Sequence, residues 1–420
     1  MLKKSRLNIN ISTPTINYKF QKYNSIGIEE LKAVQKVMKK KELSLFLAGN
    51  LDGGNYVKKF EKYLQNFYKV KHAITVNSWT SGLICAVGAL DINPGDEIIT
   101  TPWSMSASAI AILHWNAIPV FADIDPNTYC IDPSSIKKKI SRKTRAIIAV
   151  DIFGRSCDIP AIKKTIKGKN IKIISDSAQT PYSIYKNKIA GTLGDIGGYS
   201  LNCHKHINTG EGGVLVTNNS YFAKRMKLLR NHAENYQSFR KKKELNNMIG
   251  FNFRMGELEA AIGIEQYKKL KKIISKRNKL IKILLNKIKF LNGIYVPKLE
   301  NILDHNFYIF PITLDLKKIK YDRKHIIKCL SREGIQGLNE GYINIHNLPM
   351  FKNKIAYGKN GFPWSEYNKD IDYGKNLCPV AENLHKKTFI GFEVCLFKLS
   401  TKDVLNISKA FIKVWKCLKI

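Results

Sequence analysis

The sequence predicts an α/β protein with a mostly parallel central sheet and crossover helices, plus a smaller C-terminal α+β domain. Three observations carry this expectation. From His72 to Ser175, short apolar runs of β type alternate with stretches of helical spacing, the pattern of successive βαβ units. Runs such as Ile147-Ile148-Ala149-Val150 show little polar alternation, as strands covered on both faces should. After about residue 255 the character changes to a long helical period followed by mixed strands and helices.

Taken in order, strands are expected at 72–76, 97–101, 118–122, 146–150 and 171–175, with helices between them at 81–90, 106–115, 133–140 and 160–166. Two further strands, 198–201 and 213–217, flank Lys205. Leu258, Ala261, Ile262, Ile264, Tyr267 and Leu270 recur at helical spacing, which predicts a long connecting helix or helix pair over 255–290. A strand at 307–312, a helix at 323–332 and a closing amphipathic helix at 404–418 then form the second unit. The expected organisation is an N-terminal extension (1–26), a large domain (27–285) and a small domain (286–420).

A chain of 420 residues with 44% hydrophobic content can bury a large core. Its formal charge of +37 raises the question of nucleic acid, whose binders present a basic stripe. Here lysine is instead spread through nearly every predicted helix beside Ile and Asn, so compositional bias explains the charge and no nucleic-acid partner is expected. The field that remains favours anionic small substrates. The basic start at Met1 has no apolar segment after it, and no run reaches transmembrane length, so neither a secretory signal nor a membrane partner is expected. Eight scattered cysteines without Cys-x-x-Cys or zinc spacing read as reduced thiols in a cytoplasmic protein with no metal site.

Three constellations fall at expected strand ends, where an open parallel sheet binds its ligands. Asn77-Ser78-Trp79-Thr80-Ser81-Gly82 leads from the first strand into a helix, and the Thr80 and Ser81 hydroxyls can hold a phosphate or simply cap that helix. In Ser175-Asp176-Ser177-Ala178-Gln179, the Asp176 carboxylate is a solvated cap or the partner of a protonated pyridine nitrogen, with Gln179 within reach of a ring hydroxyl. Lys205 lies in a glycine-rich stretch ending Thr209-Gly210-Glu211-Gly212-Gly213, five residues after Ser200. A lysine that forms a Schiff base needs surroundings that lower its pKa; a surface lysine beside a tight turn looks the same in one dimension.

Together and in order, these motifs, with Gly250-Phe251-Asn252-Phe253-Arg254-Met255-Gly256-Glu257 downstream, resemble the DegT/DnrJ/EryC1/StrS sugar aminotransferase family. The resemblance runs from about Gly27 to Gly263, and more loosely to the C-terminus through Pro349, Pro379 and Glu382. It implies a fold-type I enzyme dependent on pyridoxal 5'-phosphate, working as a homodimer with a shared active site. It implies Lys205 as the Schiff-base lysine, Asp176 as the partner of the ring nitrogen and Gln179 as the contact to the ring oxygen. Thr80, Ser81 and Ser200 match phosphate ligands, and Asn252 matches a residue lent to the neighbouring subunit's phosphate. The implied reaction passes an amino group from an amino acid, glutamate, to a keto-sugar, nucleotide-linked, for amino-sugar and polysaccharide biosynthesis.

The chain departs from the family pattern at three places. Trp79 replaces the glycine of the usual Ser-Gly-Thr and puts bulk beside the phosphate turn. Met105 and Ser106 stand where the aromatic that stacks on the cofactor commonly falls, leaving Trp103 as the substitute stacking face or as a core residue. His204 and His206 flank the lysine. Some members of the family carry histidine in place of the lysine and act as sugar dehydratases; the spacing from Ser200 puts Lys205, not a histidine, at that position. A non-catalytic regulatory or nucleic-acid-binding relative is the reading of another class. Substrate contacts are expected from the variable loops and the C-terminal half, with His346 and Arg240 as candidates.

Overall fold

The computed structural model describes residues 13–47, 49–233, 248–301, 303–368 and 370–420. Two helices, α1 (Ile28–Lys40) and α2 (Asn55–Tyr68), precede the first strand in a stretch where the sequence reading places no element. The expected alternation then follows as β1 (His72–Val76), α3 (Trp79–Gly88), β2 (Glu97–Thr100), α4 (Ala107–Leu113), β3 (Ile118–Phe121), α5 (Pro133–Lys139), β4 (Thr144–Val150), α6 (Ile159–Thr165) and β5 (Lys172–Asp176). A small hairpin, β6 (Ile184–Tyr185) and β7 (Lys188–Ile189), separates these from β8 (Ile196–Ser200), β9 (Gly213–Thr217) and α7 (Ser220–Arg230).

Seven of these strands form one sheet in the order β1-β9-β8-β5-β4-β2-β3. All neighbours are parallel except at β9, which runs antiparallel to both β1 and β8. Side chains from alternate positions enter different cores. Ile74, Val76, Ile196 and Leu215 join the main core, while Ala73, Tyr199, Val214 and Val216 face a second core shared with Phe60 and Leu64 of α2. Both faces are therefore covered, which is why these strands lack the polar alternation of a half-exposed sheet.

The helix α8 (Glu257–Ile288) is one continuous element of 32 residues, so the helix-pair option is not taken. Its Tyr267, Leu270 and Ile274 belong to the second core, and its Ile281, Leu284 and Ile288 to a third core under the C-terminal sheet. That sheet has the order β10 (Ile294–Tyr295), β11 (Phe310–Leu314), β13 (Phe389–Phe392), β12 (Leu338–Asn339), all antiparallel, covered by α9 (Arg323–Arg332) and α13 (Thr401–Leu418). Short helices α10 (Pro349–Lys352), α11 (Trp364–Tyr367) and α12 (Pro379–Asn383) lie in the connection between β12 and β13. Ile16 and Phe20 of the N-terminal segment are buried in the third core, and Ile16 N–H donates to the Glu333 carbonyl at 3.0 Å. Among the described residues no helix is long and apolar enough to cross a membrane.

Candidate active site

The antiparallel insertion of β9 sets the geometry of the site. Because β9 returns beside β8, the loop 201–212 between them hangs over the carboxyl edge of the sheet, and Lys205 sits in that loop. The register aligns Val76 with Gly213 and Ser200 with Gly213, while Asp176 pairs with Gly198. The ends of β1, β8 and β5 therefore converge. Close approach requires glycine here: a Cβ on Gly213 would lie 2.6 Å from the Ser78 carbonyl oxygen.

A cavity of about 190 Å³ occupies this convergence. Its lining includes Thr80, Asp176, Gln179, Ser200 and Lys205 from the expected set, with Trp79, Met105, Ser108, His204, Glu211, Tyr308 and Tyr342. Lys205 Nζ lies 4.3 Å from the centre of the Tyr308 ring. Burial pushes the amine down to about 8, with Cys395, Asp176 and Cys203 opposing. Such an amine is neutral in a useful fraction near physiological pH.

Asp176 is buried, and burial raises its carboxyl pKa; donors oppose that rise. Trp79 Nε1–H donates to Oδ1 at 2.6 Å, Ser108 Oγ donates to Oδ2 at 2.7 Å, and the Lys205 charge adds its attraction. Gln179 is fixed at both ends: its Oε1 accepts from Phe153 N–H at 2.8 Å, and its Nε2 donates to the Tyr342 hydroxyl at 3.0 Å. Ser78, rather than Thr80 or Ser81, caps α3, its Oγ accepting from Ser81 N–H at 3.1 Å. That leaves the Thr80 side chain facing the cavity, whereas Ser81 is buried and donates to Asn77 Oδ1 at 2.7 Å.

Several expected residues lie elsewhere. Trp103 is fully buried, edge-on to Phe153 and Phe389, and does not line the cavity; the indole fills the main core and offers no face to a ligand. Asn252 is exposed outside the cavity of its own chain, its Oδ1 accepting from Arg254 Nε at 2.7 Å. His206 is buried, with Nε2 against the Asn306 carbonyl at 2.9 Å, a packing role. His346 is buried beside Glu382 at 3.4 Å, away from Lys205. Arg240 lies outside the described residues. The sequence reading missed Ser108, Tyr308 and Tyr342, whose positions carry no local motif, and took Trp79 as bulk without seeing its partner.

The donor set suits pyridoxal phosphate group by group. A carboxylate kept supplied with donors answers a pyridinium nitrogen, an amide answers a ring oxygen, and an amine answers an aldehyde. Ser200 and Thr80, beside the N-terminus of the ten-residue α3, answer a phosphate. Among the described residues no group of three or more side chains could hold a metal.

The fold and site define an α/β enzyme with a buried amine and carboxylate at a sheet edge. The model of the DegT/DnrJ/EryC1/StrS aminotransferase family matches residues 22–372, and the chain belongs to that family. It is 31% identical over 398 residues to the UDP-4-amino-4,6-dideoxy-N-acetyl-beta-L-altrosamine transaminase of Helicobacter pylori, covering 93% of this chain and 96% of that protein. Its structure is similar to that of an aminotransferase from Psychrobacter cryohalolentis, at TM-score 0.83 and 25% identity, covering 96% and 100% of the two chains. It is also similar, at TM-score 0.75 and 25% identity over 94% and 100%, to a GDP-4-keto-6-deoxymannose-3-dehydratase solved with a trapped PLP-glutamate geminal diamine.

Proposed function

We propose that the protein transfers an amino group from glutamate to a nucleotide-linked keto-sugar, using pyridoxal 5'-phosphate, in amino-sugar and polysaccharide biosynthesis. The observation that carries the reading is one cavity lined by the Lys205 amine, the Asp176 carboxylate, Gln179 and the Thr80 and Ser200 hydroxyls. The lysine in the loop 201–212 favours transamination over the dehydratase reading, since His206 is buried against Asn306 and His204 stands at the exposed rim.

Bound there, the cofactor supplies an electron sink for the carbanion formed at the donor α-carbon. Asp176 holds the positive charge on the ring nitrogen, and Gln179, fixed by Phe153 and Tyr342, orients the ring through its oxygen. Thr80 and Ser200 hold the phosphate. Lys205 Nζ would hold the cofactor through its aldehyde, and as a neutral amine it would serve as the base that takes the proton from the donor α-carbon and as the acid that gives it back. The Tyr308 ring over Nζ keeps bulk water from the amine.

Met105 lines the cavity yet is 55% exposed, and Leu43, Leu45 and Leu47 are also exposed. Exposed apolar side chains of this kind support a homodimer, with Asn252 reaching the partner's phosphate. The test is the visible spectrum of the purified protein with pyridoxal phosphate. Wild type is expected to show the band of lysine-bound cofactor, which glutamate bleaches, while Lys205→Ala shows neither; absence of the band in wild type refutes the reading.

A further inference from the structure

The Asp176 carboxylate is met by two donors of different kind. Ser108 Oγ, 2.7 Å from Oδ2, can turn from donor to acceptor if the carboxyl gains a proton. Trp79 Nε1, 2.6 Å from Oδ1, can only donate. Ala178 N–H adds a longer contact to Oδ1 at 3.3 Å. An indole locked in place therefore makes Oδ1 an obligatory acceptor, and a donor held this close favours the charged carboxylate more than the neutral acid.

The lock is built by packing. Trp79 is 5% exposed and fills a slot that exists only because two glycines border it. A Cβ on Gly198 of β8 would lie 2.0 Å from Trp79 Cζ3, and one on Gly82 of α3 would lie 2.7 Å from Cε3. Strand and helix thus hold the indole from two sides, with its N–H aimed at the end of β5. We propose that Trp79 is a positioning residue for the reaction, fixing the orientation of the Asp176 carboxylate and holding it as the partner of the cofactor's ring nitrogen. The inference rests on the reading of the site given above. Three titratable groups surround Asp176 besides this donor set: Lys205 from the loop 201–212, Asp151 at the end of β4 and Tyr342 from the C-terminal unit.

The test uses Trp79→Phe, which keeps a ring in the slot and removes the N–H, and has one readout without cofactor and one with it. In cofactor-free protein labelled with 15N-tryptophan, the indole N–H signal absent from Trp79→Phe should move in Asp176→Asn. A signal that Asp176→Asn leaves in place overturns the inference. In loaded protein, Trp79→Phe should still form the lysine-bound band but react with glutamate about ten- to a hundredfold more slowly, the effect of losing one hydrogen bond to a charged group. The acid limb of its pH–rate profile should move to higher pH, because the carboxylate loses a donor that favours its charged form. Ser108→Ala, which removes the reversible donor, should move that limb less. An unchanged rate and profile in Trp79→Phe overturns the inference while leaving the transaminase reading intact. A wild type without the lysine-bound band overturns both.

Discussion

The depressed pKa of Lys205 makes a quantitative prediction about how the empty enzyme captures its cofactor. Burial brings the amine from its ordinary value of 10.5 down to about 8. At pH 7 about one lysine in ten is then neutral, against about one in three thousand for an ordinary amine, so attack on an aldehyde is favoured by about 300-fold. Stopped-flow absorbance after mixing cofactor-free protein with pyridoxal phosphate should show a capture rate that rises about tenfold per pH unit to pH ~7.5 and levels off above pH ~8.5. The stability of the cofactor-free protein should carry the same signature with a definite sign. Between the folded value and 10.5 the unfolded chain binds the extra proton, so stability rises with pH through that window, and below it the charged lysine costs the fold about 3 kcal/mol. Lys205→Met should recover much of that cost at pH 7, measured by urea unfolding. A capture rate that keeps climbing tenfold per unit through pH ~10, with no stabilisation by Lys205→Met, would refute the claim that the loop buries this amine.

Two further outcomes follow from the geometry. Gly198→Ala places a Cβ 2.0 Å from Trp79 Cζ3 and 2.2 Å from the Val214 carbonyl oxygen, so it should destabilise by about 1–3 kcal/mol in urea unfolding and weaken cofactor binding; an unchanged unfolding midpoint would mean that the slot around Trp79 is not closed. If Asn252 serves the neighbouring subunit, Lys205→Ala and Asn252→Asp should each be impaired alone. Mixed after partial unfolding and refolding together, they should regain about a quarter of wild-type activity, since half of the random dimers carry one intact site. No recovery on mixing would place Asn252 outside the shared site.

The large sheet was legible because strands buried on both faces leave a signal that survives in one dimension. The runs at 72–76 and 213–217 emerged with the same bounds as β1 and β9, and Arg323–Arg332 with the bounds of α9. The helices α1 and α2 were not legible. In α1 only Glu30, Ala33 and Val37 are buried, while Ile28, Leu31 and Met38 lie exposed among its lysines, so its apolar residues do not mark out a single buried stripe. Within the site, residues belonging to a local motif could be read from it, whereas those delivered by distant segments could not. Tyr308 and Tyr342 reach Lys205 and Gln179 from the C-terminal unit, over a hundred residues away in sequence, and no spacing rule connects them. Trp103 shows the converse. Its position after Pro102 left a stacking face and a core role open, and the chain turns the indole into the aromatic cluster of Phe153 and Phe389, where burial of its area outweighs any use as a platform.

Two buried carboxylates lie side by side at this sheet edge, and their surroundings decide which one carries charge. Asp151 follows β4 directly, and its N–H donates to the Asp176 carbonyl at 2.9 Å, so the two side chains start from adjacent strand ends. Asp151 receives the Ser177 hydroxyl and the Cys157 N–H, the latter at 2.7 Å, but burial pushes it up to about 7 and the negative charge of Asp176 works in the same direction. Asp176 receives an indole N–H and a hydroxyl, and it alone of the two has the Lys205 cation among the influences that lower it. Two like charges this close do not share ionisation equally; the one with a nearby cation keeps it. The anion is thereby assigned to the residue that faces the cavity, and Asp151 takes the proton behind it near neutral pH. A pyridinium brought into the cavity meets a carboxylate already charged and oriented, so little reorganisation is left for the moment at which carbanion charge must be accepted.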